Sequence, residues 1–492
     1  MISRRSLLAL GVAAGTSAAV PLIQRAAANG GPAGGAGPAP HPHPGHGVTT
    51  DPGAVRAAPA GAPFVAPMPV PPVLRPVRST HDTDVYHMSM RAGSAQILPG
   101  LTTPVLGYDG RFMGPTIKAR AGRAVMVVQH NTLQMGTAVH LHGGHVPASS
   151  DGHPTDLVNP GAQRVYRYPN EQRGATLWYH DHAHHMEAEH VYRGLHGFYL
   201  ISDPRERSLR LPEGEYDVPI MLRDAHIDEQ GALVWAPDGA PFRNIMIANG
   251  RAQPYFPVAA RRYRLRFANA ATHRYFRLSL EGADMVQVAS DGGLLPVPVP
   301  RSDLLLSPGE RADVVVDFGR FRVGTRLVLT DLHGGPVMRF DVVRRERDTS
   351  RLPDQLRKLP PMPTATHERA VSLGVNHETL EFAIDGRSFD PDRVDTRIQS
   401  GTTEIWKITN TDTAYGGLEH NLHLHLVQFR VLEREGEPLR PGEEGLKDTV
   451  DIPPGRWVRL QATFGGYTGR YVYHCHLLEH SSFGMMAQME IV

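Results

Sequence analysis

The chain has 492 residues and is 41% hydrophobic, with 50 glycines and 42 prolines, a composition of loop-rich globular proteins large enough for several domains. Its 51 Lys and Arg nearly balance 50 Asp and Glu, so no charge excess directs it to nucleic acid or to an anionic surface. With one cysteine, Cys475, there is no internal disulfide, and that thiol is either incidental or chemically engaged.

The first segment, MISRRSLLALGVAAGTSAAV, sets Arg4-Arg5 before a short, weakly apolar run, and three alanines at 26–28 follow as a small-residue cleavage site. Residues 1–28 therefore have the form of a twin-arginine export signal, which implies the twin-arginine export machinery as a partner and a secreted or cell-envelope destination. A membrane anchor is the alternative, but Pro21 and Gln24 interrupt the run well short of the roughly 20 apolar residues of a spanning helix. No stable membrane insertion is expected. Residues 29–64 are Ala/Gly/Pro-rich and are expected to form a disordered linker, with His41, His43 and His46 solvated in it.

Beyond residue 64 short alternating or β-branched runs dominate: AVMVVQ (124–129), RYRLRF (262–267), ADVVVDF (312–318) and WVRLQATF (457–464). The pattern predicts an all-β protein. A weak repeat underlies it, in which a strand ends at Asn131, Asn269 or Asn410 and a Pro-Gly turn (160–161, 308–309, 454–455) leads into another strand. Three such units predict three similar Greek-key β-sandwiches at 65–205, 206–345 and 371–492, with 346–370 as a linker before the third. The middle unit has no histidine pair, which assigns the chemistry to the outer two.

Four His-x-His pairs stand out: His140/His142, His180/His182, His423/His425 and His474/His476. Residues i and i+2 of a strand share a face, so each pair aims two imidazoles into one space, and eight imidazoles suit several metal ions. Cys475 lies between His474 and His476 and must face the other way. The tripeptide can then join two metal sites through a short covalent path. His420, His480 and Met485 complete a His2Cys set with a thioether, an arrangement that favours copper and electron transfer. Zinc is the alternative metal, but it has no redox role and a structural site would need only four of these ligands. His145, His153, His184, His185 and His190 are expected to be exposed or hydrogen-bonded rather than ligating.

These motifs, in this order and spacing, resemble those of the three-domain multicopper oxidases. The resemblance covers everything after the linker and implies cupredoxin-like sandwiches with a trinuclear cluster between the first and last. It further implies four copper ions per chain. Type 1 copper falls to His420, Cys475, His480 and axial Met485; type 2 to His140 and His423. The type 3 pair falls to His142, His180 and His476 on one ion and His182, His425 and His474 on the other. In the implied reaction a reductant gives single electrons near His480, these pass through Cys475, and oxygen takes four to become water. Asp151 matches the acidic residue that serves the family as a proton relay, although before Gly152 it could also be a turn aspartate. One departure stands out: many bacterial relatives carry a glutamate directly after the last type 1 histidine, where this chain has Ser481-Ser482. A hydroxyl does not ionise near neutral pH, which leaves a second proton route to water held by the serines, if there is one.

The segments TPVLGYDGRFMGPTIKARAG, HLHGGHVPASSDGHP and LPDQLRKLPP look most like the branch of spore-coat laccases, bilirubin oxidases and phenoxazinone synthases. The implied reductants are small electron-rich aromatics: phenols, aminophenols or tetrapyrroles. A dedicated biosynthetic phenol-coupling oxidase would have the same sequence features. A cuprous oxidase is a further alternative, though no Met-rich insert of the kind that gathers Cu(I) is present. A non-catalytic copper carrier would need only the Cys475 set and leaves the eight paired histidines unexplained.

Overall fold

The computed structural model describes residues 53, 55–58, 61–379 and 381–492. The expected export signal, most of the linker after it and His41, His43 and His46 lie outside the described residues. Among the described residues, no helix is long and apolar enough to cross a membrane.

Six sheets form three two-sheet sandwiches among the described residues. In the first, a five-stranded sheet that includes Thr83–Ala95, Ala124–Asn131 and Gln163–Tyr168 faces a four-stranded sheet ordered Ile117–Arg120, His196–Ser202, Ala175–Asp181, Val139–His142. The middle sandwich has seven and five strands and the third five and five. Ala124–Asn131 and Trp457–Thr463 show the alternating burial expected of strands with one face on a core. Arg262–Asn269 does not, being buried from Tyr263 onward. Its outward arginines meet the first sandwich instead of water: Arg264 and Arg266 both pair with Asp313, Arg266 also with Asp217, and Thr176 of the first sandwich donates to Asp313 at 2.8 Å.

The repeat seen in the sequence has a hydrogen-bonding cause. Each asparagine-ending strand runs parallel to the opening strand of its unit and antiparallel to the strand after the Pro-Gly turn. The asparagines are buried, and their side chains make the same three bonds. Asn131 donates to the carbonyls of Met135 and Val158 and accepts from the Leu133 N–H. Asn269 does so with Arg274, Leu306 and Ala271, and Asn410 with Leu418, Ile452 and Asp412. An amide is the side chain that offers two donors and an acceptor at one point, so it can clamp a strand end to a returning loop.

Two expected linkers are partly structured. Ala57 bridges Asp228, Ala58 is buried beside Ile227 and Leu233, and Met68 enters the core of the middle sandwich. Residues at the end of the 29–64 segment and the start of the 65–205 unit thus lie along the middle sandwich. Small and isolated apolar side chains found cover there that a Pro/Gly-rich composition does not disclose. In the 346–370 segment Leu356 packs with Leu294, Arg357 pairs with Asp203, and the first strand of the third sandwich starts at His367 rather than at 371.

Replacing Asn269 by Ala removes all three bonds and leaves two carbonyls and one N–H short of a partner. At about 1 kcal/mol for each group, the expected loss is about 3 kcal/mol, read as a lower denaturant midpoint.

Candidate metal centre

The four histidine pairs converge on one cleft between the first and third sandwiches. In the first, His140 lies opposite His180 on neighbouring strands; in the third, His423 lies opposite His474. Two cross-strand pairs thus face each other across the domain boundary. Within each pair the ring centroids lie 4.9–5.9 Å apart, so spacing i, i+2 did place both rings in one space. All eight rings are buried.

Which nitrogen each ring presents follows from its outer partner. Nδ1 of His140 donates to the Asp151 carbonyl, that of His180 to Asp181, that of His423 to Asp448 and that of His474 to Cys475, at 2.7–3.0 Å. A neutral ring with its proton on Nδ1 has a bare Nε2. Yet Nε2 of His140 lies 3.3 Å from that of His423, and Nε2 of His474 lies 3.1 Å from His182 and 3.3 Å from His425. Lone pairs facing each other repel unless a cation lies between them. His142 is turned round: its Nε2 faces Asp448 and Thr449 at 3.1 Å, and its Nδ1 is the nitrogen without a partner. The donor set therefore fits metal ions, in overlapping groups such as His140/His142/His180, His140/His423/His425 and His182/His425/His474.

Burial and the neighbouring rings hold His140, His142, His180, His423, His425 and His476 far below the usual histidine range, and burial takes His474 to about 3. Neutral imidazoles are the form that binds metal. His182 shifts the other way: burial lowers it, but the Glu187 carboxylate outweighs that and raises it.

Cys475 points into a second group on the far side of the same backbone. Its Sγ lies 3.6 Å from Nδ1 of His480 and 3.9 Å from Nδ1 of His420, and these two nitrogens are 3.1 Å apart. Burial, with a smaller push from the Glu479 carboxylate, takes the thiol up to about 12, so a cation is needed to hold a thiolate here. Met485 is buried in the same core, its carbonyl accepting from the Cys475 N–H and its N–H donating to His480. Asn421 accepts from the His476 N–H at 2.6 Å and donates to Ser307 and Pro308 of the middle sandwich.

The middle sandwich contributes more than scaffold. Arg311 is wholly buried and places all five N–H donors on acceptors: the carbonyls of Thr176, Gly309 and Asp291 and both oxygens of Asp448. Asp448 in turn faces His142. A Cβ on Gly143, whose φ is +82°, would lie 2.6 Å from both Arg311 and Asp448, and one on Gly309 would lie 3.0 Å from His142 and His476. Both positions need glycine. Single-residue spacing gave no sign of Arg311, Asp448 or Asn421, because each acts across a domain boundary.

Asp151 does border the cluster. Its Oδ2 lies 2.7 Å from Nδ1 of His425, its Oδ1 has no hydrogen-bond partner, and burial raises the carboxyl to about 8. It also ends a 3-10 turn at 148–150, so it is a turn residue as well. Ser481 and Ser482 are not left to water alone. The Ser481 hydroxyl donates to Glu187, whose other oxygen faces Nδ1 of His182 at 3.1 Å. A carboxylate is present, but it comes from residue 187. Of the other histidines, His145 and His153 are hydrogen-bonded, His185 is exposed, and His190 is buried against Asp181 at 2.8 Å.

A buried histidine cluster joined by one tripeptide to a His2Cys group, on β-sandwiches, defines a copper oxidoreductase of the cupredoxin fold. The chain belongs to the multicopper oxidase family, whose domain profiles match residues 89–206, 240–325 and 359–492. It is 36% identical to a laccase of Bacillus subtilis, across 87% of this chain and 98% of that one. It is 34% identical to a bilirubin oxidase of Albifimbria verrucaria, across 86% and 80%. The crystal structure of a laccase from Pediococcus acidilactici superposes with a TM-score of 0.83 at 32% identity, covering 89% of this chain and 95% of that one. As a family member the protein is a copper-dependent oxidoreductase that uses oxygen.

Asp448→Ala should take from Arg311 its bidentate partner and leave Asp291, at 3.6 Å, as the remaining counter-charge, at a cost of about 3 kcal/mol, and release His142. Copper affinity is expected to fall roughly 10- to 100-fold, measured as copper per chain after dialysis against a weak chelator. Unchanged copper at reduced stability would restrict Asp448 to the domain contact.

Proposed function

We propose that the protein is a laccase-like oxidase, which takes electrons one at a time from small electron-rich phenols, aminophenols or tetrapyrroles and reduces oxygen to water. The observation that carries this reading is the position of Cys475, whose side chain faces His420 and His480 while its chain neighbours His474 and His476 face the cluster. The ligand assignment is the one that the family resemblance implies, and the close grouping of His420, Cys475 and His480 and of the paired histidines supports it. His420, Cys475, His480 and Met485 would hold a type 1 copper, and His140 and His423 a type 2 copper. His142, His180 and His476, with His182, His425 and His474, would hold a type 3 pair, for four ions per chain. Copper so held supplies one-electron acceptance at the first site and electron delivery to oxygen at the cluster.

The remaining steps belong to the protein. His480 has aromatic cover: Phe382 stacks on it at 4.5 Å and His273 of the middle sandwich meets it edge-on at 5.5 Å. An aromatic reductant would dock against this cover. Asp151, touching ligands of both domains, holds a proton at its unpartnered Oδ1 and moves it toward the cluster. Arg4-Arg5 and the short apolar run after it support export by the twin-arginine route, to the cell envelope or beyond.

Oxygen uptake by copper-loaded protein, with a methoxyphenol in one cell and Cu(I) in another, tests the substrate. Fast uptake with the phenol and little with Cu(I) is expected; the reverse would make this a copper-handling oxidase. Cys475→Ser should abolish the blue colour and turnover while the far-ultraviolet circular dichroism stays unchanged, and turnover that persists would refute the electron path. Met485→Leu removes a thioether donor to Cu(II) and is expected to raise the type 1 potential in a redox titration. A lower or unaltered potential would rule out Met485 as the axial ligand.

A further inference from the structure

Two short helices meet between the two metal groups. Helix α1 (Glu187–Arg193) follows His182 in the first sandwich, and α2 (Leu478–Ser482) carries His480 in the third. Leu478 packs on Ala188 and Val191. The Ala188 N–H lies 3.4 Å from the Ser482 hydroxyl, and Nδ1 of His185 donates to the Ser482 carbonyl at 2.9 Å. The contact at its centre is Glu187, a wholly buried carboxylate whose ion-pair partner among the described residues is not a Lys or Arg but His182.

Burying a carboxylate beside a neutral ring is unfavourable unless positive charge is close. The ring it faces has its other nitrogen in the cluster, 3.1 Å from His474. A cation on that nitrogen supplies the charge, and the carboxylate fixes the ring's tautomer and direction in return. One oxygen is used on His182 and the other accepts from the Ser481 hydroxyl, so the same group ties a cluster ligand to the residue after His480.

We infer that Glu187 is the positioning residue for His182, and that the space between α1 and α2 takes one carboxylate, which either residue 187 or residue 481 can supply. Ser481 already touches the Glu187 carboxylate, so a glutamate grown from position 481 would enter the space that a truncated Glu187 leaves. The inference rests on the reading of His182 as a copper ligand.

The test compares Glu187→Ala with the double variant Glu187→Ala/Ser481→Glu, both as copper-loaded full-length protein. Copper per chain and the fraction of Cu(II) visible by electron paramagnetic resonance are measured, with blue absorbance as the control for the Cys475 site. The parent should hold about four ions, roughly half of them silent as a coupled pair. Glu187→Ala should lower copper per chain and raise the visible fraction at least about 1.5-fold, consistent with a 10- to 100-fold weaker site. The double variant should recover the parent's values. Parent-like values in the single variant, or no recovery in a folded double variant, would overturn the inference while leaving the copper reading intact. A parent without silent copper would overturn both. If Glu187→Ala does not fold, Glu187→Gln decides: its amide oxygen still accepts from His182, so copper and spectrum should stay near the parent's, and their loss would count against a positioning role.

Discussion

A histidine cluster assembled from two separate domains forms only if the two halves arrive in register, and in this protein one ion pair spans all three domains beside it. Arg311 of the middle sandwich bonds to Thr176 of the first, to its own domain at Gly309 and Asp291, and to Asp448 of the third. Every N–H of the guanidinium is used, so it cannot move without losing bonds in several directions. Asp448 passes the constraint to the ligands, its carboxylate to His142 and its carbonyl to His423. A buried pair of this kind adds little net stability over apolar packing. It adds direction, and the cluster depends on direction.

The same economy governs the ligands. Seven of the eight paired histidines bind a carbonyl or carboxyl group through one ring nitrogen, which leaves the other nitrogen bare toward the cleft; His476 makes no such bond. Cations bound between such nitrogens would couple metal loading to the stability of the whole assembly. Cys475 repeats this on the other side of the backbone, where burial opposes the thiolate that a metal requires.

Much of this was legible residue by residue. The all-β class followed from short β-branched runs, and the repeat from Asn131, Asn269 and Asn410, because a strand clamp uses local chemistry with a fixed donor count. The convergence of each histidine pair followed from strand geometry, and the opposite facing of Cys475 from the same rule. The reading failed where a contact crossed domains. RYRLRF alternates polar and apolar residues, yet Arg264 and Arg266 are buried, because Arg266 reaches Thr176 of the first sandwich at 2.9 Å and shares Asp313 with it. Ser481 suggested a missing carboxylate, and Glu187 supplies one from a helix 294 positions earlier.

By itself, then, the sequence determined which side chains offer metal-binding atoms and which of them share a face, since side-chain chemistry and the two-residue strand period are properties of neighbours along the chain. Tertiary structure decided which nitrogen each ring presents, which carboxyl group stands behind it, and that the middle sandwich without a histidine pair orients the ligands of the other two. Those features depend on the direction of hydrogen bonds between segments far apart in the chain, and direction is defined only once the domains have packed.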